Sequence, residues 1–167
     1  DGITAATGIS VAASTLEGAE FNGLRTTGDF ALTITTGDMS YNANDHEYSG
    51  DLYLNAVEGN LIYLGNSTFN GNLSLIAGNA VTLSGNLHAT GDLLIDTGAS
   101  ITLQNTYSSG ADLYIFASAL MNGLNGTLQA DGTLIIDVEG ILTNQGRIKG
   151  GIVSLTAGGN ITNAYSY

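Results

Sequence analysis

Five side chains with cation-holding oxygens recur at one point of this chain: Asp29, Asp51, Asn72, Asp92 and Asp112, spaced 22, 21, 20 and 20 residues apart. Calcium favours several oxygen ligands, and it would relieve the repulsion between like charges stacked at such intervals. The nine-residue Gly-Gly-x-Gly-x-Asp calcium repeat is absent, however. An Asp that opens a strand commonly bonds nearby backbone amides, so turn capping is the expected role and no metal or cofactor is assigned. A second group, Asn44-Asp45-His46-Glu47-Tyr48, puts an imidazole between two carboxylates, the makings of a divalent-ion site or an acid and base pair. Adjacent strand residues point to opposite sides, so these three converge only through a loop, and a solvated loop is the expected reading.

The elements that position these residues form a repeat. An apolar anchor returns at Phe30, Leu52, Leu73, Leu93, Leu113, Leu134 and Val153, in steps of 22, 21, 20, 20, 21 and 19 residues. A period near twenty held across a chain means one unit stacked on copies of itself. Within one unit, Leu93 and Ile95 alternate with outward residues, a glycine corner follows at Gly98, and Ile101 and Leu103 form a second alternating pair. A third short strand is marked by Leu24, Leu87, Tyr107, Leu128 and Ile148. Strands this short cannot pair as hairpins and keep their alternation, so each pairs with its equivalent in the next unit, roughly 4.8 Å along the axis. The spacing predicts an all-β, right-handed parallel β-helix, about eight coils of roughly 20 residues with a triangular cross-section. It forms a single domain over 1–167, counted from Ile9 and Val11, and is expected to be a fragment of a longer shaft.

The inward columns agree. Leu32, Leu54, Leu75, Ile95, Ile115, Ile136 and Leu155 stand beside the anchors, and Ile34, Ala56, Ala77, Thr97, Ala117, Val138 and Ala157 narrow toward a crowded corner. At the corner after the second strand, Asn44, Asn66, Asn86, Asn105, Asn144 and Asn163 recur, with Asn122 or Asn125 between them. Asn tolerates left-handed turns and its amide can bond to the next Asn along the axis, so a structural ladder is expected.

Gly91-Asp92-Leu93-Leu94-Ile95-Asp96-Thr97-Gly98-Ala99-Ser100-Ile101-Thr102-Leu103, Gly71-Asn72-Leu73-Ser74-Leu75 and Gly151-Ile152-Val153-Ser154-Leu155-Thr156-Ala157-Gly158-Gly159-Asn160-Ile161-Thr162-Asn163 resemble the repeats of filamentous haemagglutinin-type exoproteins. The resemblance covers nearly the whole chain. It implies a large bacterial protein of a two-partner secretion system, an adhesin or a toxin-delivery stick of contact-dependent growth inhibition. Such a protein is secreted through an outer-membrane partner transporter, displayed on the cell surface and often tied to virulence. The family's N-terminal secretion domain carries Asn-Pro motifs, which this proline-free chain lacks. The expected partners are that transporter, flanking coils of the same protein, and a target-cell receptor or glycan.

Composition narrows the alternatives. Only Arg25, Arg147 and Lys149 oppose fifteen acidic residues, for a formal charge of -12, which disfavours nucleic acid and anionic membrane surfaces. No apolar run approaches the roughly 18 residues of a spanning helix, and the first residues, Asp1-Gly2-Ile3-Thr4, are not an export signal. Without cysteine there is no disulfide or thiol chemistry. A carbohydrate-binding or polysaccharide-cleaving β-helix is the alternative, but the scattered basic residues argue against catalysis, and no enzyme activity is expected. The outward positions of the first strand are more informative: Tyr53, Ile76, Leu94, Tyr114, Phe116 and Ile135 would form an exposed apolar stripe, a candidate partner contact.

Overall fold

The computed structural model describes residues 4–5, 8–14, 25–26, 28–43, 47–48 and 50–164. Among them there is no α-helix, and the short strands stack as a parallel β-solenoid with three faces. The first face is one uninterrupted eight-stranded sheet formed by Gly8–Ala13, Asp29–Ile34, Leu52–Ala56, Leu73–Ala77, Leu93–Thr97, Leu113–Ala117, Thr133–Val138 and Ile152–Ala157. These eight strands mark about seven turns, one fewer than the spacing predicts. The second face is split into sheets of three and four strands, and the third into sheets of three and five.

Each coil supplies its own turns but none of its own pairing. Leu75 is opposite Ile95, Ile95 opposite Ile115 and Ile115 opposite Ile136, so one inward residue of each coil stacks on the next. Phe30, Leu32, Leu52, Leu54, Leu73, Leu75, Leu93, Ile95, Leu113, Ile115, Leu134 and Ile136 are all buried. A stack of like side chains fills the narrow interior because each coil presents the same cross-section to its neighbours. Val153 keeps the expected register but is 44% exposed, because no described coil covers the last one.

Where one face carries a larger side chain, another gives up volume. Tyr41 and Tyr63 of the second face stack with ring centroids 5.4 Å apart. Opposite them the third face has Ser67, whose hydroxyl lies 2.7 Å from Tyr63 Oη, at the position that Leu87, Tyr107 and Leu128 occupy in later coils. In the coil of Tyr107 the large residue sits on the third face, and Leu103 takes the second. This exchange hides the third-strand signal in the coil of Ser67–Phe69.

Thr97 explains the split of the second face. It stands in the column of Ala56, Ala77 and Ala117, and it is buried. Its hydroxyl donates to Asn79 O at 2.6 Å and accepts from Val81 N at 3.3 Å. In the other coils that amide donates to a backbone carbonyl of the next coil, as Leu61 N does to Ala80 O at 2.9 Å. The side chain therefore stands in for one ladder bond, and Val81–Ser84 does not pair with Ile101–Leu103.

The register makes a sharp prediction. Ile95→Asp buries an unpaired charge and should destabilise the chain by about 3 kcal/mol or more, whereas the neighbouring outward Leu94→Asp should cost about 1 kcal/mol or less. Urea melts of the two variants check it, and equal losses would mean the register is wrong.

Candidate interaction surface and inter-coil ladders

The acidic column caps amides, but across coils instead of within its own turn. Asp29 Oδ1 accepts from Asp51 N at 3.0 Å, Asp51 Oδ1 from Asn72 N at 2.8 Å and Asn72 Oδ1 from Asp92 N at 2.8 Å. Asp92 Oδ1 accepts from Asp112 N at 3.0 Å, and Asp112 Oδ1 from Thr133 N at 2.6 Å. One residue later the ordinary ladder resumes: Leu52 N donates to Asn72 O, and Leu93 N to Asp112 O, each at 2.9 Å. Each Asx side chain thus adds a rung where the turn bends the backbone away from its neighbour. One oxygen of each of these side chains accepts an amide proton from the next coil.

This arrangement accounts for the glycine before the Asx. A Cβ on Gly71 would stand 2.7 Å from Asp51 Oδ1, and one on Gly91 would overlap Asn72 Oδ1. The side chain of one coil fills the space that glycine leaves in the next. The Gly-Asx pair is therefore an inter-coil device as well as a turn.

The Asn residues form two ladders. Asn66 Oδ1 accepts from Asn86 N at 2.7 Å, and Asn86 Oδ1 from Thr106 N at 2.8 Å, so these two lie at the corner as expected and repeat the Asx rung. Asn105 is one residue out of step, because Leu87 pairs with Tyr107 and places Thr106 opposite Asn86. Asn122, Asn144 and Asn163 belong elsewhere: they are in register with Leu103 on the second strand. There Asn122 and Asn144 are buried, and the amides bond directly, Asn122 Nδ2 to Asn144 Oδ1 at 2.7 Å and Asn144 Nδ2 to Asn163 Oδ1 at 2.8 Å. Asn122 Nδ2 also reaches Arg147 O at 3.2 Å. Asn144 thus holds the inward second-strand position of Leu103, whereas Asn66 and Asn86 lie three residues beyond the corresponding inward residues, Tyr63 and Leu83. Asn44 lies outside the described residues, as do Asp45, His46 and the side chains of Glu47 and Tyr48.

The outward stripe is in the expected register. Tyr53, Ser74, Leu94, Tyr114 and Ile135 follow one another in one column, and Asn55, Ile76, Asp96, Phe116 and Asp137 in the next. Tyr53 is 37% exposed. Ile76, Leu94, Tyr114, Phe116 and Ile135 are half-buried instead of fully exposed, because side chains one strand spacing away on either side cover part of each. Tyr114 Oη donates to Asp112 Oδ2 at 3.0 Å. Asp112 is held below its usual pKa chiefly by the Thr133 amide and then by this hydroxyl. The same bond raises the Tyr114 pKa, with smaller contributions from burial and from the charges of Asp112 and Asp92. Tyr114 is therefore fixed in place and neutral.

One pair escaped the sequence reading. His88 and Ser108, opposite each other on the third face, bring Nδ1 and Oγ within 2.9 Å, in a shallow hollow of about 460 Å³ also lined by Asn66, Thr68, Asn86 and Thr106. Spaced 20 residues apart, they could have been found by applying the repeat to outward positions. No carboxylate hydrogen-bonds to His88 among the described residues, so the pair lacks the orienting acid of a hydrolytic triad.

A family described as repeats of unknown function (DUF5649) matches residues 49–112, a span that includes the Asx rungs from Asp51 to Asp112. No curated protein and no solved structure matches the chain.

The glycine argument is testable by a double-mutant cycle. Gly91→Ala should destabilise by about 1–3 kcal/mol through overpacking. In the background of Asn72→Ala, which removes the obstructing oxygen, it should cost less, with a coupling of about 1 kcal/mol. Additive losses in thermal or urea melts would show that the Asn72 side chain is not what excludes a Cβ.

Proposed function

We propose that this chain is a shaft segment of a large secreted bacterial surface exoprotein of the two-partner type, serving as a rigid rod and contact surface with no catalysis of its own. The uninterrupted eight-stranded first sheet carries the reading, since every coil presents the same backbone edge to the next. Such a ladder suits a load-bearing spacer that lengthens by adding coils. The outward stripe gives the rod one face suited to a receptor, glycan or other target-cell partner. Adhesin and toxin-delivery stick are both compatible with such a rod. Against an enzyme stand the His88–Ser108 pair, to which no carboxylate is bonded among the described residues, and the placement of Arg147 and Lys149 on a third-face strand, away from the carboxylates of the first face.

The test is secretion of the intact gene product from a bacterial host with and without its outer-membrane partner transporter. Surface display that depends on the transporter is the expected result. Accumulation in the cytosol in both strains, with the chain folded, would overturn the proposal.

A further inference from the structure

The first face sets its apolar stripe beside carboxylates that have no partner among the described residues. Leu94, Tyr114 and Ile135 follow one another in one outward column, and Phe116 stands in the next column between Asp96 and Asp137. Beside Phe116 the surface dips into a hollow of about 330 Å³ lined by Asp96, Asp137, Glu139 and Ser118. Unlike Asp92 and Asp112, which cap amides, Asp96, Asp137 and Glu139 have no side-chain hydrogen bond or ion pair among the described residues. The cations of the described third-face strand Arg147–Lys149 lie on another face.

Resting on the reading of the stripe as a contact face, we infer that it docks a basic polypeptide segment with an apolar ridge, contributed by a different protein. The ridge covers Leu94, Tyr114 and Ile135, and a lysine or arginine enters the hollow over Phe116. There the ring face and the carboxylates attract the same cation. A second copy of this chain is a poor occupant, since each copy carries a formal charge of -12 and only three basic residues. An acidic or uncharged partner would leave the carboxylates desolvated and unpaired, a penalty that selects for the basic one. Tyr114 is already held by Asp112, so it enters the contact with little further ordering.

The experiment titrates the folded chain into a fluorescein-labelled amphipathic Leu/Lys peptide of about 18 residues, roughly 27 Å long as a helix. A Leu/Glu peptide of the same pattern runs alongside, and binding is read by anisotropy. The Leu/Lys peptide is expected to bind at least about tenfold more tightly than the Leu/Glu peptide. Tyr114→Ser/Phe116→Ser should weaken it by about tenfold. Asp96→Asn/Asp137→Asn should weaken it by about fivefold, while the distant, charge-matched Asp29→Asn/Glu58→Gln should change it by less than about twofold. Circular dichroism melts confirm that each variant is folded. An equal loss from the distant pair would overturn the proposal by showing diffuse charge attraction, and so would the absence of any binding. If both peptides bind alike and both are weakened by the Tyr114/Phe116 variant, the basic partner is wrong and the contact face stands. Binding indifferent to that variant removes both.

Discussion

In a stack of parallel strands, the amides and carbonyls of one coil are satisfied by the next, and a buried group left unanswered costs about 1–3 kcal/mol. That requirement fixes the rest of the structure. Coils must have nearly equal length, their turns must return the chain to the same register, and the interior must hold the same volume at every level. The Asx rungs extend the requirement past the strand ends: Asp51 and Asn72 carry an inter-coil bond where the turn would otherwise break the series. Thr97 shows the same rule from the other side, since its hydroxyl takes over a ladder bond and the second face divides there.

The parts of this design that depend on side-chain type and period were legible in the sequence. The inward columns, the three faces and the parallel order followed from anchors about twenty residues apart, and the structure places Leu75, Ile95 and Ile115 as that spacing requires. The outward register followed as well, because inward and outward residues alternate strictly. What residue type and period alone did not give depends on the offset within each coil and on pairs in space. The recurring Asn residues share a type but not a place in the coil: Asn66 and Asn86 follow Leu52 and Leu73 by 14 and 13 residues, whereas Asn144 and Asn163 follow Leu134 and Val153 by 10. The compensation of Tyr63 by Ser67 hid a strand whose apolar marker had been replaced by a hydroxyl.

The candidate contact face follows from the same geometry. A solenoid cannot bury both sides of its strands, so the outward columns are free to vary while the inward ones are fixed by packing. On the first face that freedom is used for Leu94, Tyr114, Phe116 and Ile135, a cluster the core does not need, bordered by carboxylates that do not all serve the ladders. On the third face the outward column instead holds Thr68, His88 and Ser108. One backbone frame thus presents chemically different faces.

The central claim is that strands pair between coils and not within them. Scalar couplings across hydrogen bonds, measured by nuclear magnetic resonance on the isotopically labelled chain, test it most directly. The structure requires correlations from Phe30 N to the Asp51 carbonyl, from Leu73 N to that of Asp92 and from Leu93 N to that of Asp112. Correlations joining Leu93–Thr97 to Ile101–Leu103 of the same coil, the mark of hairpin pairing, would contradict it.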